Sequence, residues 1–201
     1  TETRTVRGGG NGAEVASVRL GADYDPDANT RIGVETHFTG IRFNTDTVER
    51  VDQVGANGAP RLGYDALAGL NQDRQNIETR LTYRRKLGGD RVLDVSVSVE
   101  VGDEGRDRPS LRVFQAPAPA VTFDEPVTRN YLRRVQVKAD WSDTLSGGVK
   151  LKLGYEFDGD DNDYRLVYAR SLGAGPLTLD ATRSNLFRFN QQVHAAYGTY
   201  E

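Results

Sequence analysis

Every second residue from position 93 is aliphatic: Leu93, Val95, Val97, Val99 and Val101, with Asp94, Ser96, Ser98 and Glu100 between them. Side chains alternate across a strand, so this segment offers one wholly apolar face and one wholly polar face. Helical periodicity is hard to find anywhere in the chain, whereas period-two alternation recurs. Val149, Leu151, Leu153, Tyr155 and Phe157 oppose Lys150, Lys152, Gly154, Glu156 and Asp158. Val135, Val137, Ala139 and Trp141 oppose Arg134, Gln136, Lys138 and Asp140; Ile77, Thr79, Leu81 and Tyr83 oppose Glu78, Arg80, Thr82 and Arg84. Ile32, Val34, Thr36 and Phe38 oppose Arg31, Gly33, Glu35 and His37, and Ala16, Val18, Leu20, Ala22 and Tyr24 form a further stripe. A weaker pattern over 191–201 sets Val193, Ala195, Tyr197 and Thr199 against Gln192, His194, Ala196 and Gly198.

Seven strands of about nine to twelve residues match tilted membrane strands better than the shorter strands of soluble sandwiches. The turn-rich segments at 25–30, 88–90 and 142–148 are short, and the segments at 41–75, 103–129 and 158–190 are expected to be long loops. That alternation is the rhythm of an up-and-down barrel, with short turns at one end and long loops at the other. The hydrophobic share of 37% is low for a globular core, yet ample where only every second residue must be apolar. No apolar run approaches the ~20 residues of a membrane helix, and 22 glycines suit turns and closely packed strands. The fold class expected is all-β: an antiparallel up-and-down transmembrane β-barrel segment. Seven strands leave two bare edges that lipid does not tolerate, so residues 1–201 are expected to form one arc of a larger barrel. Methionine is absent, even at position 1, and the chain is expected to begin after processing or to be cut from something longer.

Certain segments carry a resemblance. KLKLGYEF over 150–157, DDNDY over 160–164, NLFRFNQQVHAAYGTYE over 185–201 and RVQVKADW over 134–141 with its LSGG turn resemble the barrel of TonB-dependent outer-membrane receptors, in the subgroup described as outer-membrane β-barrel family proteins. The resemblance covers about 130–201 at motif level, and only the alternation extends it further. It implies a barrel of about 22 strands with an N-terminal plug domain, importing a scarce nutrient (a siderophore, metal complex, carbohydrate or peptide) with energy passed on by TonB. The implied partners are outer-membrane lipid, the plug of the same full-length chain, the TonB complex reached through the missing N-terminal part, and the nutrient itself. The implied location is the cell outer membrane. The plug, the TonB-contacting box and a terminal strand ending in an aromatic residue are missing from this sequence, so the chain alone is not expected to transport.

Little else in the sequence points to chemistry. Without cysteine there is no disulfide, thiolate metal site or cysteine nucleophile. A net charge of −3 gives no global field for nucleic acid, and none is expected as a partner. The acidic run Asp158, Asp160, Asp161 and Asp163 has the oxygen ligands a hard cation wants. It fails as an EF-hand loop, because the sixth position is Asp163 and the twelfth Ala169, so a solvated loop is expected and no metal. Gly8–Gly12 lacks the Lys-Ser/Thr of a phosphate loop and is read as a flexible lead into the first strand. The prolines within 116–120 suggest an extended spacer. No Gly-x-Ser-x-Gly elbow is present, and neither a cofactor nor an enzymatic activity is expected.

Ligand contact is assigned to the long loops, with Tyr64, Phe114, Phe123 and Phe187 as loop aromatics that either stack on a ligand or pack the loops together. Arg80, Lys150, Lys152 and His194 are expected on the polar, lumen-facing side. Arg84, Arg85, Lys86 and Arg91 beside the 88–89 turn are placed to reach headgroups. A structural or adhesive barrel without a transport cycle, and a soluble β-sandwich binding module, are the alternative readings.

Overall fold

The computed structural model describes residues 2–145, 147–173 and 175–200. Of the described residues 86% lie in strands and none in a helix. Seven long strands, β1 (Glu2–Asp27), β2 (Thr30–Val54), β3 (Pro60–Gly88), β4 (Arg91–Asp107), β6 (Ala120–Thr144), β7 (Lys150–Leu172) and β9 (Asn185–Tyr200), pair antiparallel. Two short ones, β5 (Ser110–Ala116) and β8 (Thr178–Leu179), complete a single sheet. Tight turns join β1 to β2 and β3 to β4; Gly88 and Gly89 adopt φ of 94° and 64°, where only glycine is at ease.

The expected long loops are not loops. The segments 41–75, 103–129 and 158–190 are mostly hairpin ribbon: β2 and β3 stay paired up to a tip at 55–59, and β6 and β7 remain in register from Thr144 and Lys150 to Thr122 and Leu172. β5 continues the line of β4. Asp107 faces Asn71 and Ser110 faces Ala68, so three steps on one strand match three on the other and the register survives the break at 108–109. Gly8–Gly12, expected as a flexible lead, lies inside β1 opposite 44–48. The acidic run likewise lies in β7, where Asp160 accepts a bond from Arg134 Nε (2.6 Å) and Asp158 one from Gln136 Nε2 (2.6 Å). The 116–120 prolines form the tip between β5 and β6. These ribbons were hidden because alternation fades where water meets both faces of a strand.

Within the shared portion the register aligns the apolar residues into rows. Ala22, Val34, Leu81, Val97, Val137 and Phe157 form one, and Leu20, Thr36, Thr79, Val99 and Val135 the next. Among the described residues no second layer covers this face. Leu20 is 69% exposed and Leu81 51%, and the only buried hydrophobic residues among those described are Val51 and Ala66, both outside the band. Aqueous solvent would leave the whole stripe wet, at ~25 cal/mol per Å² of apolar surface. Hydrocarbon against that face removes the penalty, and the opposite face supplies its own polar partners: Asn76 donates to Glu100 (2.9 Å), and Arg134 bridges Glu100 (3.5 Å) and Asp160 (2.6 Å).

The stripe also drifts across the rows. Counting apolar side chains larger than alanine at its ends and within the paired strands, on β1 it runs from Val18 to Tyr24. On β7 it runs from Phe157 to Leu151, and Phe157 lies two rows below Val18's while Leu151 lies two rows below Tyr24's. Two rows are four residues, about 13 Å of strand, accumulated over five interstrand steps of about 4.8 Å, which gives a tilt of roughly 30°. Membrane barrels tilt their strands by roughly 35–45°.

The β9 register departs from expectation at one residue. His194, expected on the polar face, pairs with Phe157 and so belongs to the apolar face; its ring lies 4.9 Å from that of Phe157, and its Nδ1 is 2.7 Å from the Tyr155 hydroxyl. At β9 the band has slid so far that His194 marks its upper rim, a level where aromatic and amphipathic side chains gather. The polar face of β9 instead carries Val193, Ala195 and Tyr197. Tyr197 lies across Gly154, its paired residue, and its hydroxyl donates to Asp140 of β6 (2.6 Å). Lys152 Nζ is 3.4 Å from the same carboxylate. Any Cβ at position 154 would enter the Tyr197 ring.

Two outcomes follow for the full-length protein refolded into lipid vesicles. Leu81→Arg is expected to lower unfolding free energy by about 2–4 kcal/mol, against roughly 0.5 kcal/mol or less for the adjacent Thr82→Arg; equal losses in denaturant titration would refute the two-face assignment. Gly154→Ala is expected to displace Tyr197, break its bond to Asp140 and destabilise by about 1–3 kcal/mol, with little further loss when Tyr197→Phe is added.

Candidate functional site

Above the apolar band, the polar face of the ribbons closes around a cavity of about 460 Å³. Its centre is a single row: Ala68 of β3, Ser110 of β5, Asp124 of β6 and Arg170 of β7. Arg112 stands one row above on β5, while Pro126 and Tyr168 pair one row below. Arg108, Pro109 and Arg183 complete the wall.

Asp124 is the hub. It is 5% exposed, a depth at which a carboxylate needs partners. Arg112 Nη1 donates to Oδ2 (3.1 Å), the Tyr168 hydroxyl donates to Oδ1, and Arg170 Nε lies 3.1 Å from Oδ1. That last contact is an ion pair without hydrogen-bond alignment, so the Nε proton is buried and unsatisfied. Three strands are tied at one carboxylate.

The returning chain after β8 caps the site. Thr182 donates through its N–H (3.0 Å) and hydroxyl (2.6 Å) to Asp180 Oδ1, and Ser184 Oγ donates to Asp180 O (2.8 Å) while accepting from Tyr168 N (3.0 Å). The Thr182 hydroxyl and the neighbouring N–H groups hold the Asp180 carboxyl below its ordinary range. This locked turn sets the Arg183 guanidinium 4.0 Å over the Tyr168 ring. Arg108 and Arg183 have no carboxylate within ion-pair reach among the described residues. Four arginines thus line a concave wall that holds one carboxylate, leaving an excess of positive charge there. Burial pushes the Tyr168 phenol up, and donation to Asp124 adds to the rise.

The aromatic residues singled out from the sequence lie on strands and divide between the faces. Tyr64 and Phe114 are cross-strand partners on the same face as the cavity, with ring centroids 5.4 Å apart, so they pack the ribbon together. Phe123 pairs with Leu111 and Ser171 on the other face, outside the cavity. Phe187 pairs with Tyr164 on the polar face and is 56% exposed. Arg80, Lys150 and Lys152 share the polar face at and below the level of the band; Arg80 is 3.0 Å from Glu78. None of these residues lines the cavity. Sequence inspection missed Asp124, Arg112, Tyr168, Arg170 and Arg183. Continuing the even-numbered phase of β6 and β7 through the presumed loops is the signal that brings 124, 168 and 170 onto one face.

A model of the outer membrane protein beta-barrel family matches residues 89–201, more than half of the sequence. The chain belongs to this family. Its place is accordingly the cell outer membrane, and the family is typically one of transport or structural proteins rather than enzymes. No curated protein matches the chain. Among solved structures, the ferric yersiniabactin uptake receptor FyuA from Yersinia pestis is similar at 9% identity and a TM-score of 0.25, over 100% of this chain and 44% of the receptor. The chain thus spans less than half of that receptor's length.

The hub makes a pH-dependent prediction. With its folded value raised above the ordinary ~10, the Tyr168 phenol contributes stability that is intact below pH ~10 and lost as pH rises through the folded value. A difference titration of phenolate absorbance, wild type minus Tyr168→Phe, is expected to isolate one tyrosine ionising above the ordinary value of ~10; a midpoint at or below that value would contradict the Asp124 contact.

Proposed function

We propose that this chain forms one arc of an outer-membrane receptor barrel of the TonB-dependent class, which takes up a nutrient through a plug-gated lumen. One observation carries the reading. Three hairpins extend beyond the apolar band on the same side and build a concave polar wall there, while tight turns close the other side. A ribbon rising past the membrane with its inward face shaped into a cavity suits capture of a solute from outside the cell.

In this reading the apolar face meets lipid, the short turns face the periplasm, and further strands seal the edges at β1 and β9. The polar face lines the lumen. Its ladder from Asn76 through Glu100 and Arg134 to Asp160 is already internally paired, which favours a wetted contact with a plug over a bonded core. Lys150, Lys152 and Arg80 sit low on that wall.

The test uses the full-length gene. Deleting it is expected to abolish accumulation of one labelled nutrient from a panel of siderophores, metal complexes, oligosaccharides and peptides, and removing TonB from the intact strain is expected to have the same effect. Accumulation unchanged in both strains across the panel would favour a structural barrel and reject the receptor.

A further inference from the structure

We infer that the cavity centred on Asp124 is a binding site for a small, multiply anionic molecule bearing carboxylate or phosphate groups. The inference deepens the receptor reading and rests on it for the ligand's role in uptake, although binding itself can be measured without transport.

The charge arrangement is the first ground. Arg112 and Arg170 are held by Asp124, whose three contacts leave it few lone pairs for a ligand. Arg108 and Arg183 also line the cavity; among the described residues neither forms a direct ion pair, although Arg183 lies in the field of the Asp180 carboxylate in its own turn. Guanidinium groups present a planar fork of donors that matches carboxylate and phosphate oxygens two at a time. A cavity whose one acid is consumed internally favours anions and repels cations.

Preorganisation is the second ground. Arg183 is fixed over Tyr168 by the bonded Asp180–Ser184 turn, and Arg112 and Arg170 are fixed by the hub. Less side-chain freedom remains to be lost when a ligand arrives. The remaining lining is compact, with Ala68, Gly69, Pro109 and Pro126 beside the hydroxyl of Ser110, which suits the short carbon frame of a small polyacid. Size agrees as well: about 460 Å³ lies within the range of small-molecule clefts and is too little for a folded partner. The site opens on the polar face, so headgroups of lipid surrounding the apolar face do not reach it.

The experiment is calorimetric titration of the full-length protein in detergent micelles with citrate and, separately, with inorganic phosphate. Saturable binding of at least one is expected, and it should weaken with added salt. The better probe identifies the anion class. Arg108→Gln and Arg183→Gln, which break no ion pair, are each expected to reduce affinity about ten-fold with an unchanged circular dichroism spectrum. Arg19→Gln, on the same face but far down β1, is expected to bind as wild type. Absence of saturable binding by both anions would overturn the inference, as would a doubly substituted protein that binds as wild type. Binding that responds to these substitutions in a protein that supports no TonB-dependent uptake would leave the site standing and remove the receptor reading instead.

Discussion

The backbone ladder holds this fold together almost alone. A sheet with a single layer has no interior in which side chains can be buried, and the structure has nearly none: Val51 and Ala66 are the only buried hydrophobic residues among those described. Each strand is therefore secured by continuous pairing with its neighbours, reinforced by polar partners on one face and completed by an apolar surrounding on the other. Such a design tolerates many side chains at most positions. It demands the right face at nearly all positions within the band.

That demand explains what the sequence reveals. β4 was legible because Leu93–Val101 alternates without exception, and β6 and β7 nearly so. The tilt needed the register, which lines up where the apolar run of each strand begins and ends. β9 was misread. Its membrane portion offers Ala196, Gly198 and Tyr200, small or ambiguous residues, while the stronger alternation of Val193, Ala195 and Tyr197 lies on the polar face. Tyr197 is there because Gly154 leaves room for its ring and Asp140 accepts its hydroxyl, a three-strand arrangement that no single segment announces.

The candidate site was the least legible part, for a related reason. Above the band both faces are wet, so selection on hydrophobic phase relaxes and Arg112, Asp124, Tyr168 and Arg170 look like ordinary loop residues. Only the register, with three steps on β4–β5 matched by three on β3, brings them together. Tyr64 and Phe114 drew attention as aromatics, yet they serve as a cross-strand pair. Composition marks large side chains; pairing decides which of them converge.

Two prolines sit at the cavity on neighbouring strands, Pro109 between β4 and β5 and Pro126 in β6. Neither has an N–H to give, although their carbonyls still accept from Gly69 (2.8 Å) and Arg108 (3.0 Å). The woven wall is thus thinnest beside the arginines. Across that gap the carboxylate of Asp124, held by Arg112 of β5 and Tyr168 of β7, takes over from the missing main-chain donors as the tie between strands.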